Sequence, residues 1–172
     1  MTDTIRNRMR WIAVIFTVIW MLVIFRFSMD NAVDSSQLSM FVVRVFNKAV
    51  EILTGRNLLM TISPEHISFL EVFFRKIAHM TIYFILSITV MIFFFTFKMR
   101  MSYRMLLTLM FCFLYALSDE WHQTFVAGRA GSLMDALFDT SGAVIGIFAA
   151  LLLYCIAYTL YYKYVYFKRK FD

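Results

Sequence analysis

One proline, two cysteines and charged side chains at only 16% of 172 residues narrow the field before any motif is read. So little charge, beside 62% hydrophobic residues and a mean hydropathy of +0.73, excludes an ordinary soluble domain. Cys112 and Cys155 stand deep in apolar stretches, where they are expected as small core residues, and they imply no disulfide. There is no HExxH and no cysteine pair of zinc spacing, no nucleophile elbow around Ser118, and no internal repeat of the kind that secondary transporters carry. Arg6, Arg8 and Arg10 before the first apolar segment resemble the start of a secretory signal. No small-residue cleavage site follows, since Phe25, Arg26 and Phe27 occupy that place, so the segment is expected to stay as a membrane helix.

What is abundant is apolar length. Twenty phenylalanines help to build four stretches, at about 11–27, 69–97, 105–126 and 133–162. All but the first, which is marginal, reach the ~20 residues that a helix needs to cross the hydrocarbon. The predicted fold is all-α: a polytopic membrane protein with four transmembrane helices, forming a single domain over 1–172. Cations sort to one side. Arg6, Arg8 and Arg10 precede the first span, Lys98, Arg100 and Arg104 fill the link between the second and third, and Lys163, Lys168, Arg169 and Lys170 follow the fourth. By the positive-inside rule these belong to the cytoplasm, with both termini inside. The net charge of +6 is then a topological bias, and no nucleic-acid partner is implied.

The same assignment puts residues 28–66 and the turn at 127–132 outside. Within the first, Arg44, Asn47, Lys48 and Glu51 recur at i, i+3, i+4 and i+7, while Phe41, Val42, Val45, Phe46, Val50 and Leu53 cover the other side. That spacing predicts an outer-face amphipathic helix of roughly four turns, lying on the membrane or covering the polar end of the bundle. Ser63-Pro64 then opens the second span, with Ser as N-cap, Pro at the first position and Glu65 in the first turn.

Charge inside the spans collects at their outer ends. Counting back from Phe97 puts Arg75 about 33 Å away, at the outer boundary, with Lys76 beside it and His79 one turn deeper. Asp119 lies about 21 Å along its helix from Met105, inside the outer leaflet, and Glu120, His122 and Gln123 follow it. A helix so polar must face its neighbours or water. Ser132 and Asp135 have the spacing of a capping box opening the fourth helix, whereas Asp139 is a turn too deep to cap and asks for a cation such as Arg75, Lys76 or Arg129. Below them Gly142 and Gly146 form a GxxxG, expected to pack against the second or third span rather than to dimerise.

Three segments, FRKIAHMTIY at 74–83, YALSDEWHQTFVAGR at 115–129 and DALFDTSGAVIG at 135–146, occur in this order and with these gaps. Together with residues 20–39 they resemble the VanZ-like membrane protein family, named for teicoplanin resistance. The resemblance covers most of the chain. It implies reduced susceptibility to lipid-tailed glycopeptides such as teicoplanin, and it marks Arg75, Lys76, His79, Asp119, Glu120, His122, Gln123, Arg129, Asp135, Asp139 and Gly142 as the family's polar and small positions. One departure stands in the turn: Ala127-Gly128-Arg129 replaces a common Pro-Gly-Arg.

The polar cluster admits three roles. As a salt-bridge lock, Arg75, Lys76 and Arg129 would pair with Asp119, Glu120, Asp135 and Asp139. Buried ion pairs stabilise poorly compared with packed apolar groups, and seven charges are many for four small helices. As a binding site, the rim cations suit a phosphate or carboxylate, and the carboxylates with Gln123 suit sugar or amide groups. The ligand would be a membrane lipid, a lipid-linked cell-wall precursor or a lipoglycopeptide antibiotic, its tail beside the fourth helix near Gly142. This role uses both the cluster and its depth. As a catalyst acting on a lipid head group, a hydrolase or transferase, the chain would offer His79 and His122 as acid and base, Asp119 or Glu120 to activate water, and the cations to stabilise an oxyanion. His79, His122, Asp119 and Asp139 are also metal-ligand types, but the spacing signals no metal, and no cofactor is expected.

Overall fold

The computed structural model describes residues 3–29 and 32–171. Residues 1, 2, 30, 31 and 172 of the predicted domain lie outside the described residues, as do the side chains of residues 32–35 (Ser35 among them) and 169–171 (Arg169 and Lys170 among them). The described residues are mostly helical, with no strand among them: α1 Asp3–Ser28, α2 Ala32–Thr54, α3 Leu58–Thr61, α4 Pro64–Phe95, α5 Met101–Gln123 and α6 Leu133–Phe171. α1, α4, α5 and α6 are long and apolar enough to cross a membrane, and most of their large apolar side chains point outward. In a bilayer that surface meets lipid.

α4 is the hub, packed against α1, α2, α5 and α6, and its most extensive contact is with α6. The α4–α6 register follows from sequence. Lys76 meets Asp135, His79 meets Asp139, the backbone of Met80 meets Gly142, and Phe84 with Ser87 meets Gly146. Both helices advance by about one turn per contact, so they run parallel, with α5 returning between them. A Cβ on Gly142 would fall on the Met80 backbone, and one on Gly146 on the Phe84 carbonyl and the Ser87 hydroxyl. The expected intramolecular use of the GxxxG is what the chain does with it.

Side-chain bonds to backbone carbonyls help to hold α1. The Trp20 indole donates to the Ile82 carbonyl at 2.8 Å, and the Tyr115 hydroxyl donates to the Met21 carbonyl at 2.7 Å. At the opposite end of the bundle from the acidic cluster, Arg10 lies over the Phe97 ring at 4.2 Å and Arg104 donates to the Phe97 carbonyl at 2.7 Å, closing the α4–α5 link.

Several expectations shift. α6 runs nine residues past the predicted end at 162, because nothing after Gly146 breaks it; its last turns stand beyond the bundle with their tyrosines exposed. Cys112 is buried in the core, but Cys155 is exposed on α6, where no neighbour covers it. α2 is the predicted amphipathic helix, yet its packed side carries Ser39, Val43 and Asn47, while Phe41, Val45 and Leu53 remain exposed. Asn47 leaves the solvated stripe altogether: its amide bonds to Asn57 at 3.2 Å and accepts from the Leu59 backbone at 3.1 Å, holding the turn after α2. Ser63 occupies the N-cap of α4, but its hydroxyl engages the His66 ring at 2.6 Å rather than a backbone amide.

The α4–α6 contact generates a direct expectation. Gly142→Leu should lower the thermal midpoint of the detergent-purified chain markedly, at a cost of about 1–3 kcal/mol or more for forcing bulk into a packed interface. Ile145→Leu on the exposed side of α6 should not. Equal midpoints for the two variants would refute the close approach.

Candidate functional site

The polar end of the bundle is assembled from four short pieces. α4 carries Glu71, Arg75, His79 and Tyr83 at successive i+4 steps, with Lys76 on the adjoining strip. The last turns of α5 carry Asp119, Glu120 and Gln123, all buried. The turn that follows reverses at Gly128, whose φ of 76° is the left-handed conformation that glycine takes at least cost, and this presents Arg129. α6 contributes Asp135 and Asp139 from its first two turns.

These pieces enclose a cavity of about 220 Å³ whose lining includes Arg75, Lys76, His79, Glu120, Gln123, Arg129, Asp135 and Asp139. Asp119 sits with His79 and Asp139, the ligating atoms of the three within 4.8 Å of one another. Every residue expected to bind ligand is thus in one place. His122 is not: its ring faces α1, with its centroid 4.6 Å from that of Phe25, and it does not line the cavity. Asp119 and His122 are three residues apart and so only about 60° apart around α5, yet that turn is enough for Asp119 to meet His79 and Asp139 while His122 meets Phe25 of α1. The acid–base pair of His79 and His122 is therefore not assembled.

The partners differ from those that spacing alone implied. Lys76 Nζ lies 2.5 Å from Asp135 Oδ1 and 4.4 Å from the centroid of the Phe138 ring, a tie from α4 to α6. Asp135 is accordingly no capping-box residue. In a capping box it would accept the Ser132 amide, but that amide donates to Glu120 Oε2 at 2.8 Å, so the third span caps the fourth. Ser132 still accepts the Met134 amide at 3.2 Å. Asp119 accepts from the Gln123 amide at 3.2 Å, and that amide lies 3.5 Å from the Ser28 hydroxyl at the end of α1.

Arg75 pairs at 2.9 Å with Glu71, one turn earlier on its own helix, and Glu71 also accepts the hydroxyl of Ser36 from α2. Glu71 is the member that sequence reading missed, although its i, i+4 spacing to Arg75 was the available signal. With it, three rim cations face five carboxylates. The salt-bridge lock is therefore partial: Lys76–Asp135 joins two helices, while the Arg75–Glu71 pair lies within one. Deeper in, His79 Nδ1 and Asp139 Oδ2 stand 3.8 Å apart, too far for a hydrogen bond.

A second cavity, of about 260 Å³ and mostly apolar, opens between α1, α2 and α4. Phe27, Leu38, Val42, Phe74, Ala78 and Ile82 line it, and it shares Arg75, His79 and Arg129 with the polar cavity. Gly142, beside which the lipid tail was expected, is itself packed against the Met80 backbone of α4.

No curated protein and no solved structure matches the chain significantly. The model of the VanZ/LLP1 family matches residues 13–156, a stretch that contains all four membrane-capable helices in whole or large part and every side chain of both cavities. The chain belongs to the VanZ/LLP1 family, which is associated with teicoplanin resistance.

Proposed function

We propose that this protein binds a lipid-tailed component of the cell envelope from the outer leaflet, and that it thereby lowers susceptibility to lipoglycopeptides such as teicoplanin. The observation that carries the proposal is the junction of the two cavities: a polar chamber and an apolar groove meet at Arg75, His79 and Arg129. An amphiphile requires that combination. Its phosphate or carboxylate would meet the rim cations, its sugar or amide groups the carboxylates and Gln123, and its acyl chain the groove between α1, α2 and α4. The ligand is a membrane lipid, a lipid-linked wall precursor or the drug itself.

A second role, a hydrolase or transferase acting on the lipid head group, is favoured by one observation. Partly buried His79 and buried Asp119 and Asp139 lie together beside the chamber, where a seated head group could reach them. It would differ from binding by releasing a head group from the bound lipid.

The cation pattern supports a topology with both termini cytoplasmic and the segment from α2 to α3 outside. Met60, 87% exposed on α3, offers a clean reporter. In a Cys112→Ala, Cys155→Ala background, Met60→Cys should react in intact cells with a membrane-impermeant thiol reagent. Protection of that cysteine in a folded variant would overturn the topology.

Expression in a susceptible Gram-positive host should protect against teicoplanin more than against vancomycin, which has no fatty chain. Filling the groove with Val42→Trp should remove that difference, and Arg75→Ala should weaken it by roughly 10- to 100-fold in ligand affinity, as expected for a lost charge-assisted hydrogen bond of ~1.5–3 kcal/mol. Asp119→Asn should also lose protection while the protein still accumulates in the membrane. Equal protection against both drugs, or protection unaffected by all three variants, would contradict the proposal.

A further inference from the structure

The geometry points to a divalent-cation site, of the Zn²⁺ class, formed by His79, Asp119 and Asp139 at the meeting of α4, α5 and α6. Three different helices deliver one imidazole and two carboxylates so that their ligating atoms lie within 4.8 Å of one another. The separation of His79 Nδ1 from Asp139 Oδ2 is informative. At 3.8 Å it exceeds a hydrogen bond, yet it lies in the range between two ligands of one ion, which is about 3.3 Å for tetrahedral bonds of ~2.0–2.1 Å and longer when the angle opens.

Two independent features inside the cluster ask for an occupant. Asp139 is 2% exposed, and its Oδ2 has no hydrogen-bond partner among the described residues. Tyr83, one turn below His79 on α4, is fully buried with its hydroxyl also unpartnered and within electrostatic reach of Asp119 and Asp139. An unsatisfied buried carboxylate oxygen within membrane depth is costly, and natural structures seldom leave one empty-handed.

Charge balance points the same way. Around the chamber the three cationic side chains Arg75, Lys76 and Arg129 stand against the five carboxyl groups of Glu71, Asp119, Glu120, Asp135 and Asp139, so a bound cation has the sign that this surplus of carboxyl groups favours. A nitrogen and two carboxylate oxygens, with no thiolate in the set, suit Zn²⁺ among first-row ions, and three protein ligands leave a position for water or for an anionic oxygen of a bound head group. The site does not depend on the lipid-binding role, because the ion can be tested on the protein alone.

The test uses the full chain in detergent, stripped with a chelator, dialysed against Zn²⁺ and analysed by elemental mass spectrometry. One Zn²⁺ per chain is expected, retained by Glu65→Gln on the exposed start of α4, with affinity falling by about 100-fold or more in Asp139→Asn and His79→Ala, beyond the loss typical of residues that only orient ligands. Loading with Co²⁺ supplies a readout that a purely structural role would not move. The wild-type chain should show the visible d–d bands of a mixed nitrogen and oxygen site, and His79→Cys should keep the ion and add a thiolate-to-cobalt charge-transfer band. No Zn²⁺ above a zinc-free control, or equal Zn²⁺ in wild type, Asp139→Asn and His79→Ala, would overturn the site. Should the variants fail to fold, the wild-type cobalt spectrum decides, and its absence is equally fatal. None of these failures touches the teicoplanin comparison, which reads lipid recognition separately.

Discussion

The parallel approach of α4 and α6 is the constraint on which everything else rests. Gly142 and Gly146 let the two backbones close to a distance that no side chain would permit, and the register this imposes carries upward through the next turns. Once Met80 is seated on Gly142, His79 has to face Asp139 and Lys76 has to face Asp135. The polar chamber is thus positioned by the apolar half of the same contact. In hydrocarbon, where burying apolar area gives little drive for helix association, close packing of small residues is the available means of doing this. The Lys76–Asp135 pair and the Glu120 carboxylate on the Ser132 amide then fix the top of α6 to α4 and α5.

Much of this was legible in the sequence because a membrane penalises polar groups so heavily. Arg75, Lys76, His79, Asp119, Glu120, Gln123, Arg129, Asp135 and Asp139 stood out as charges and amides in apolar runs, and they converge. The four spans and the GxxxG packing followed from length and residue size. What spacing could not give was direction around a helix where polar residues occur on several sides. His122 looked equivalent to Asp119, yet the rotation of α5 turns it to Phe25 on α1. Asp135 matched a capping pattern, but a carboxylate from another helix reached the amide first.

Other residues were illegible because their partners are distant in sequence. Glu71 reads as an ordinary surface acid until Ser36 of α2 is brought against it, and Ser28 reads as the end of a span until Gln123 approaches. The apolar groove was invisible for the same reason: it is bounded by α1, α2 and α4, and no single segment contains its shape. Tertiary placement of α2, which turns Ser39, Val43 and Asn47 inward and leaves a flanking apolar strip free, creates it.

The pairing of the rim cations has a consequence for how a ligand is found. Arg75 arrives already matched to Glu71, and Lys76 to Asp135, so their fields largely cancel within a few ångströms of the entrance. The entrance therefore does little to draw anions from a distance, unlike a bare basic patch, whose attraction reaches out to a Debye length of about 8–10 Å and weakens with salt. For the lipid-tailed ligand proposed above, encounter would instead be a two-dimensional search within the leaflet, with selection on contact, by shape and hydrogen bonding. Capture at this site is accordingly expected to depend on lateral concentration in the membrane far more than on the ionic strength of the medium.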